Sequence, residues 1–424
     1  MEKAKIQKLS NGLTVITQQV PWVNSIAIYV AVNAGPRYES KISAGHAHFL
    51  EHMLFEGTRK YPTAKELAQV IESIGGKSGA WTDKEYIAYN VKVPKEYLEK
   101  GLYYLSEILF NPAFDKTSVE REKSIILEEI QRKEDTPEIE IWDLFMEYCW
   151  GKEQALGRST LGERSTIKNI DPSQLRDYLN NFYYPSNMTI SIVGKFNIRE
   201  LNQYIQRYFG KGTIKSKREI EKVAFLPPIK KIKKIRSNSQ QALLMIGTVT
   251  GIHYLHPDRF AMRVIADILG GGTSSRLFNK LVYELGIAYS TWVWNWTFKD
   301  TGMLIAYGGF SPVNVDRALT CIHEELAKLR EGKIEKNEIN VAKILDISNM
   351  YYSLETPDSI AQWHATTYAT EGRILSTDYI KKEIEKVTAE DVKRVANQYF
   401  NQENFLTLVR GPITMQPPKK ARPR

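Results

Sequence analysis

The sequence repeats itself, and that repeat constrains the fold more than any other feature. Ile170 to Leu175, followed by Phe182, Tyr183, Asn187 and Gly194, has a counterpart 217 residues later in Val387 to Val392, Tyr399, Phe400, Asn404 and Gly411. Asp135, Thr136 and Pro137 return as Glu355, Thr356 and Pro357 at a spacing of 220, and Gly57 and Thr58 as Gly272 and Thr273 at 215. Near-constant spacing at three places implies that one folding unit was duplicated. The 424 residues also exceed what one ordinary core accommodates. Residues 1–212 are therefore assigned to a first domain, 213–236 to a linker and entry strand, 237–415 to the duplicate and 416–424 to a basic tail. The linker falls where Gly210 to Arg236 turns polar and basic around Pro227 and Pro228. The tail has the composition of a disordered segment.

Strand and helix signals mix within each half. Asn11 and Gly12 predict a hairpin turn near the start, and Ser25 to Asn33 reads as a strand buried on both faces. Thr63 to Ile74 is an amphipathic helix closed by Gly75 and Gly76, and Ala80 to Val93 is strand-like. Lys95 to Phe110 predicts a helix, as does Lys116 to Lys133, the latter capped by Ser118 and ended by Asp135 to Pro137. No signal peptide, Arg-rich transit helix or apolar run approaching eighteen residues is visible, so no membrane span is expected. Cys149 and Cys321 are too few for a disulfide framework and read as buried thiols of a reducing compartment, hence a cytoplasmic protein. The composition, 42% hydrophobic and 25% charged, is that of a soluble globular chain, and a net charge of +9 argues only weakly for acidic partners. The tract from Ile229 to Arg236 could serve nucleic acid. With no aromatic platform interleaved it reads instead as an exposed strand whose lysines block edge pairing, and no nucleic-acid partner is expected.

The chemistry concentrates in His48 to His52, which reads H-x-x-E-H. In a helix this spacing puts His48, Glu51 and His52 on one face, with the two imidazoles one turn apart. Such a pair can hold one Zn²⁺ with a carboxylate beside it, in the inverted order of the common zinc helix. The competing reading is a helix with two polar surface histidines. Three of only seven histidines fall between positions 46 and 52, which favours the metal. His46 lies some 200° around the helix from His48, at about 100° per residue, and reads as structural. A third ligand is needed, and Glu120, Glu122, Glu128 and Glu129 on the helix from Lys116 are all available. Glu122 and Glu129, seven apart, share a face. In the duplicate, Arg263, Ala266 and Asp267 fall opposite His48, Glu51 and His52, so the second copy lacks the metal residues.

With these residues in view, the chain resembles the inverted-zincin peptidases, the family of pitrilysin, insulin-degrading enzyme and the mitochondrial processing peptidase β subunit. The resemblance is closest to the short, processing-peptidase-like branch. It rests on Gly45 to Thr58, on Glu122 with Ile126 to Ile130 and Asp135 to Pro137, on Phe182 to Met188, and on Gly271 to Phe278. It implies an α+β fold of two homologous domains, each a mainly antiparallel sheet packed with helices, arranged around a peptide-binding cavity. It also implies one Zn²⁺ per chain held by His48, His52 and Glu129, which lies 77 residues after His52, with Glu128 as the fallback. Glu122 matches a family glutamate that supports the site without binding metal, and a solvated helix charge is the plainer reading of it. The cation activates a water, and Glu51 serves as general base without ligating.

The family lays an extended peptide along an edge strand, which Gly79, Ala80, Trp81 and Thr82 match; Gly79 stands where the family usually has Asn. Trp81 is a pocket wall or an ordinary packed aromatic. Family members that act alone carry an Arg and a Tyr seven apart that contact the substrate backbone. Here Tyr289 is present, but Val282 takes the arginine's place and donates no hydrogen bond. Another arginine or a partner chain must then substitute, so a homodimer or heterodimer is expected. Trp292, Trp294 and Trp296 share one strand face, as a hydrophobic peptide cleft or, more commonly, a packed sheet–helix interface. The expectation is a zinc metalloendopeptidase acting on peptides or unfolded segments. A non-catalytic scaffold or assembly subunit of the same fold is the alternative, and a binding module built on the basic strand has only charge to support it.

Overall fold

The protein is described here by a computed structural model covering residues 3–216, 218–224 and 231–412. Pro227, Pro228, the start of the basic tract and the tail 416–424 lie outside the described residues. The strands are β1 (Lys5–Lys8), β2 (Thr14–Gln19), β3 (Ser25–Val32), β4 (Lys77–Thr82), β5 (Ile87–Pro94), β6 (Met188–Gly194), β7 (Ile232–Arg236), β8 (Ala242–Val249), β9 (Ala288–Thr297), β10 (Gly302–Phe310) and β11 (Leu406–Gly411). The helices of the first half are α1 (His46–Met53), α2 (Ala64–Glu72), α3 (Leu98–Phe110), α4 (Lys116–Glu134), α5 (Pro137–Trp150), α6 (Arg164–Lys168), α7 (Pro172–Phe182) and α8 (Ile198–Phe209). Those of the second are α9 (Arg259–Gly270), the short α10 (Arg276–Phe278), α11 (Val315–Glu331), α12 (Lys336–Tyr352), α13 (Pro357–Glu371), α14 (Thr377–Lys386) and α15 (Ala389–Tyr399).

Two compact units result, each with its own sheet. In the first the strand order is β1-β2-β6-β3-β5-β4, and in the second β7-β11-β8-β10-β9. Among the described residues only β2–β6 and β7–β11 run parallel. With β1 set aside, the orders match strand for strand, β2 with β7, β6 with β11, β3 with β8, β5 with β10 and β4 with β9. The duplication read from residue spacing is thus a duplication of topology.

Alternation along β3 explains the layering of the first unit. Ile26, Ile28, Val30 and Val32 join a core with Phe49 and Leu50 of α1, Leu102 and Leu105 of α3, and Ile126 of α4. Ala27, Tyr29 and Ala31 face the other way, and there α13 lies across β3 and β6. Ala27 and Ala31 on the sheet and Ala361, Ala365 and Ala369 on the helix are all small and buried, which permits close approach of the two elements.

The units are not the two halves of the sequence. The first comprises Met1–Arg132, Trp150–Ala224 and Asn349–Thr377; the second Lys133–Cys149, Phe225–Ser348 and Asp378–Arg424. Helix α13 comes from the second half yet covers the first unit's sheet. Helix α5 comes from the first half, and its Phe145 lies 3.1 Å from where a Cβ on Gly247 of β8 would stand. The contiguous division at 212 and 237 therefore misplaces two helices. An amphipathic pattern says that a helix covers a sheet, not which one. The repeated Thr136-Pro137 and Thr356-Pro357 open these two exchanged helices.

Two local expectations change, and a third, the packing of the β9 tryptophans, is met. Ala80 to Val93 is not one strand but two, broken by a turn in which the Asp83 amide bonds the Tyr86 carbonyl at 2.9 Å. Helix α4 is capped by Asp115, whose Oδ2 accepts from the Ser118 amide at 3.0 Å, and not by Ser118. The tryptophans of β9 form a packed sheet–helix interface: Trp142 of α5 meets Trp294 edge-on at 4.8 Å and Trp296 at 6.1 Å. Trp292 and Trp294 still remain 44% and 41% exposed. Strand β7 is the exposed edge strand expected of the basic tract. Cys149 and Cys321 are buried and free, and no helix among the described residues is long and apolar enough to cross a membrane.

Candidate metal centre

Eight residues make a helix too short to persist alone, so α1 depends on what holds it. Its Phe49, Leu50 and Met53 are sealed in the core. Its entry is Gly45, at φ 95°, where an added Cβ would come within 2.8 Å of the Gly162 Cα. Glu39 closes the helix start: its Oε2 accepts from the Gly45 amide at 2.8 Å and its Oε1 from the Ala47 amide at 2.6 Å. Burial pushes the Glu39 carboxyl up to about 7, against the two amide bonds and the Arg158 and Lys84 charges that lower it.

With the apolar side of α1 fixed inward, the opposite face carries His48, Glu51 and His52 toward α4. The imidazoles stand 4.5 Å apart between centroids. Glu129 Oε2 lies 3.7 Å from His48 Nε2 and 3.9 Å from His52 Nε2. Among the described residues these three are the one group of His, Cys, Asp or Glu whose ligand atoms gather within 4.8 Å. A tetrahedral cation with bonds of about 2.1 Å needs donors roughly 3.4 Å apart, so the two His–Glu separations are within a few tenths of an ångström of what zinc requires, and two imidazole nitrogens with one carboxylate oxygen are a donor set that suits it. Glu128, the fallback, points to solvent.

Glu122 is 3% exposed, and its Oε1 accepts a 2.6 Å hydrogen bond from His52 Nδ1. That bond leaves Nε2 directed at the Glu129 carboxylate, the arrangement by which an outer carboxylate fixes a ligand ring. Glu122 is therefore not a solvated helix charge. Burial lowers the His52 pKa, but the Glu122 bond and charge, with Glu51 and Glu129 nearby, outweigh it and raise the value overall.

Glu51 does not join the donor set. Its Oε2 accepts a 2.5 Å hydrogen bond from Thr82 Oγ1 at the end of β4. Burial raises its pKa, opposed by the Thr82 bond and the His52 charge and aided by Glu129. Thr82 is a residue that sequence reasoning quoted but gave no role; contact between a strand end and a helix face appears only in the fold. His46 is buried against Tyr178, 6.4 Å away, and takes no part in the donor set.

Among the described residues strand β4 is the outer strand of its sheet, paired only with β5. Gly79 and Ala80 are half-buried on it. A Cβ at Gly79 would sit 3.1 Å from the Asn90 side-chain oxygen. Trp81 packs edge-on against Tyr29 at 5.9 Å, the ordinary fate of such a ring. Tyr289 belongs to the second unit, on β9, and is 91% exposed; Val282 is half-buried in a π-helical turn, Asn279–Glu284.

A pair of topologically matched units, one of them bearing an inverted histidine pair and a distant glutamate, defines the architecture of the inverted-zincin peptidases. Comparison with known sequences agrees. Residues 14–164 match the family described as Insulinase (Peptidase family M16), and residues 169–345 match the Peptidase M16 inactive domain. The zinc protease YmxG of Bacillus subtilis is 31% identical over 402 residues, covering 94% of this chain and 96% of its own. The mitochondrial-processing peptidase subunit beta of Dictyostelium discoideum is 29% identical over 432 residues, covering 98% of this chain and 90% of its own. The crystal structure of a protease from Helicobacter pylori superposes with a TM-score of 0.87 at 22% identity, over 97% of this chain and 99% of that one. The chain belongs to peptidase family M16.

Proposed function

We propose that this chain is a zinc-dependent endopeptidase of extended peptides or unfolded segments, with one Zn²⁺ held by His48, His52 and Glu129. The observation that carries the reading is the gathering of these three donors on one point, with Glu51 beside them but tied to Thr82. Bound there, zinc would supply Lewis acidity toward a scissile carbonyl. Glu51 takes a proton from the attacking water and returns it to the leaving amine; burial raises its pKa, which makes it a stronger proton acceptor than an ordinary carboxylate. The Thr82 hydroxyl holds one oxygen of that carboxylate and leaves the other for the exchange. The free edge of β4 offers backbone donors and acceptors to an extended chain, which favours unfolded substrates over folded ones. Val282 contributes no donor, so a dimer in which a second chain supplies the arginine contact completes substrate binding.

The test is peptide cleavage by the purified chain, read beside its metal content. Glu51→Gln is expected to keep stoichiometric zinc while kcat/KM falls by about 10³-fold or more, the scale of a lost general base. Loss of zinc in that variant would refute the assignment of Glu51. A metal-loaded parent without any peptidase activity, alone or mixed with a partner chain, would favour the scaffold reading.

A further inference from the structure

The segment between β3 and α1 carries Arg37 and Glu39, and these meet Lys84, Glu85 and Arg158. All five charged side chains are more than nine-tenths buried. Charges so placed cost several kcal/mol unless paired and hydrogen-bonded, and they form one connected set. Both Glu39 oxygens are spent on the first turn of α1. Arg158 Nη2 donates to the Glu39 carbonyl at 2.5 Å and Nη1 to the Glu153 carbonyl at 2.8 Å. Lys84 Nζ donates to the Arg158 carbonyl at 2.5 Å. The Arg37 amide donates to the Lys84 carbonyl at 2.9 Å, and its guanidinium to Glu85 at 3.2 Å.

Lys84 and Glu85 lie in the turn that ends β4. The set therefore ties the start of α1, which bears His48, Glu51 and His52, to the end of β4, which bears Thr82. Gly35 presses against the same turn: at φ +122°, a Cβ there would stand 2.8 Å from the Asp83 carbonyl oxygen.

We infer that Glu39 is a positioning residue for the proposed reaction, setting the placement of α1 against β4 and with it the Glu51–Thr82 contact and the approach of both imidazoles to Glu129. This rests on the peptidase reading of the same site. A carboxylate acting on the helix dipole alone would need only its charge. Glu39 uses two oxygens in two fixed directions, so its shape matters too. Gln at this position keeps the size, loses one acceptor and sets an amide NH₂ against a backbone N–H. Asp keeps both acceptors and the charge at a shorter reach.

The experiment uses the full chain stripped of metal and titrated with Co²⁺, whose visible absorption reports donor geometry without turnover, alongside peptide kinetics of the zinc-loaded form. Glu39→Gln is expected to weaken Co²⁺ binding about tenfold, alter the absorption band and lower kcat roughly 10–100-fold with KM within about twofold, and Glu39→Asp to recover most of each. If Glu39→Gln does not fold, Arg158→Lys, which keeps the cation and loses the fork, is expected to shift the same readouts about three- to tenfold. Parental Co²⁺ affinity, spectrum and kcat in the folded variants would overturn the inference, as would Asp performing no better than Gln or a loss confined to KM. A parent that binds Co²⁺ yet cleaves no peptide counts against the proposed function, and the cobalt titration then decides the role of Glu39 by itself.

Discussion

In the first unit, α1 and α4 face each other across two imidazoles and a carboxylate whose lone pairs meet. In the second, the corresponding α9 and α12 are joined by Arg263 Nη2 and Asp346 Oδ1 at 2.5 Å. Arg263 stands opposite His48 in the repeat, and Asp267 opposite His52. The difference teaches how a duplicated scaffold can lose a metal without losing the contact between its helices. Three converging lone pairs call for a mobile cation from solution. A guanidinium is a cation already attached to the chain, and it pairs with the facing carboxylate directly, through one of its two oxygens.

The sharpest way to break this comparison is to move the second unit's solution into the first. His48→Arg should abolish metal binding and reduce peptide cleavage to background while the chain stays folded, because a tethered cation now faces Glu129. Metal analysis with circular dichroism checks it, and retained stoichiometric zinc would show that His48 is not a ligand. A smaller effect is expected one shell out. Glu122→Gln keeps the volume but weakens the acceptor at His52 Nδ1, so zinc affinity should fall by about 10–100-fold in a chelator competition with little change in folding stability.

The smallest effect lies in the second unit. Burial, with the Asp346 charge beside it, pushes the Asp267 carboxyl up from 3.8 to about 7, against the lowering by Arg263. The unfolded chain releases this proton near pH 4, whereas the folded chain holds it until near 7. Asp267 therefore costs stability progressively as pH rises through that window. Asp267→Asn should stabilise the protein by on the order of 2 kcal/mol at pH 8, and by nothing at pH 3.5, in urea unfolding of the metal-loaded chain. An equal gain at both pH values would show that the proton is not the cause.

What could be read from the sequence was what repeats or has a short period. The H-x-x-E-H spacing places three side chains on one face wherever the helix is built, and residue spacing alone disclosed the duplication. Three things were hidden for physical reasons. The break in Ala80 to Val93 uses Asp83 to Tyr86, without the glycine or proline that usually marks a turn. Thr82 and Glu39 act on α1 across sequence separations of 31 and 8 residues, through hydrogen bonds that exist only once strand and helix meet. The destinations of α5 and α13 were hidden because either sheet would satisfy their apolar faces.

That exchange has a consequence for how the chain is made. The face of β3 bearing Ala27 and Ala31 stays uncovered until α13, some 330 residues further along, has left the ribosome. The amino-terminal half thus emerges as an unfinished body, with its covering helix still to be synthesised. Cutting the gene at the midpoint would yield two pieces that each carry the other's lid, and co-expression of the pieces, not either one alone, is the arrangement that restores both.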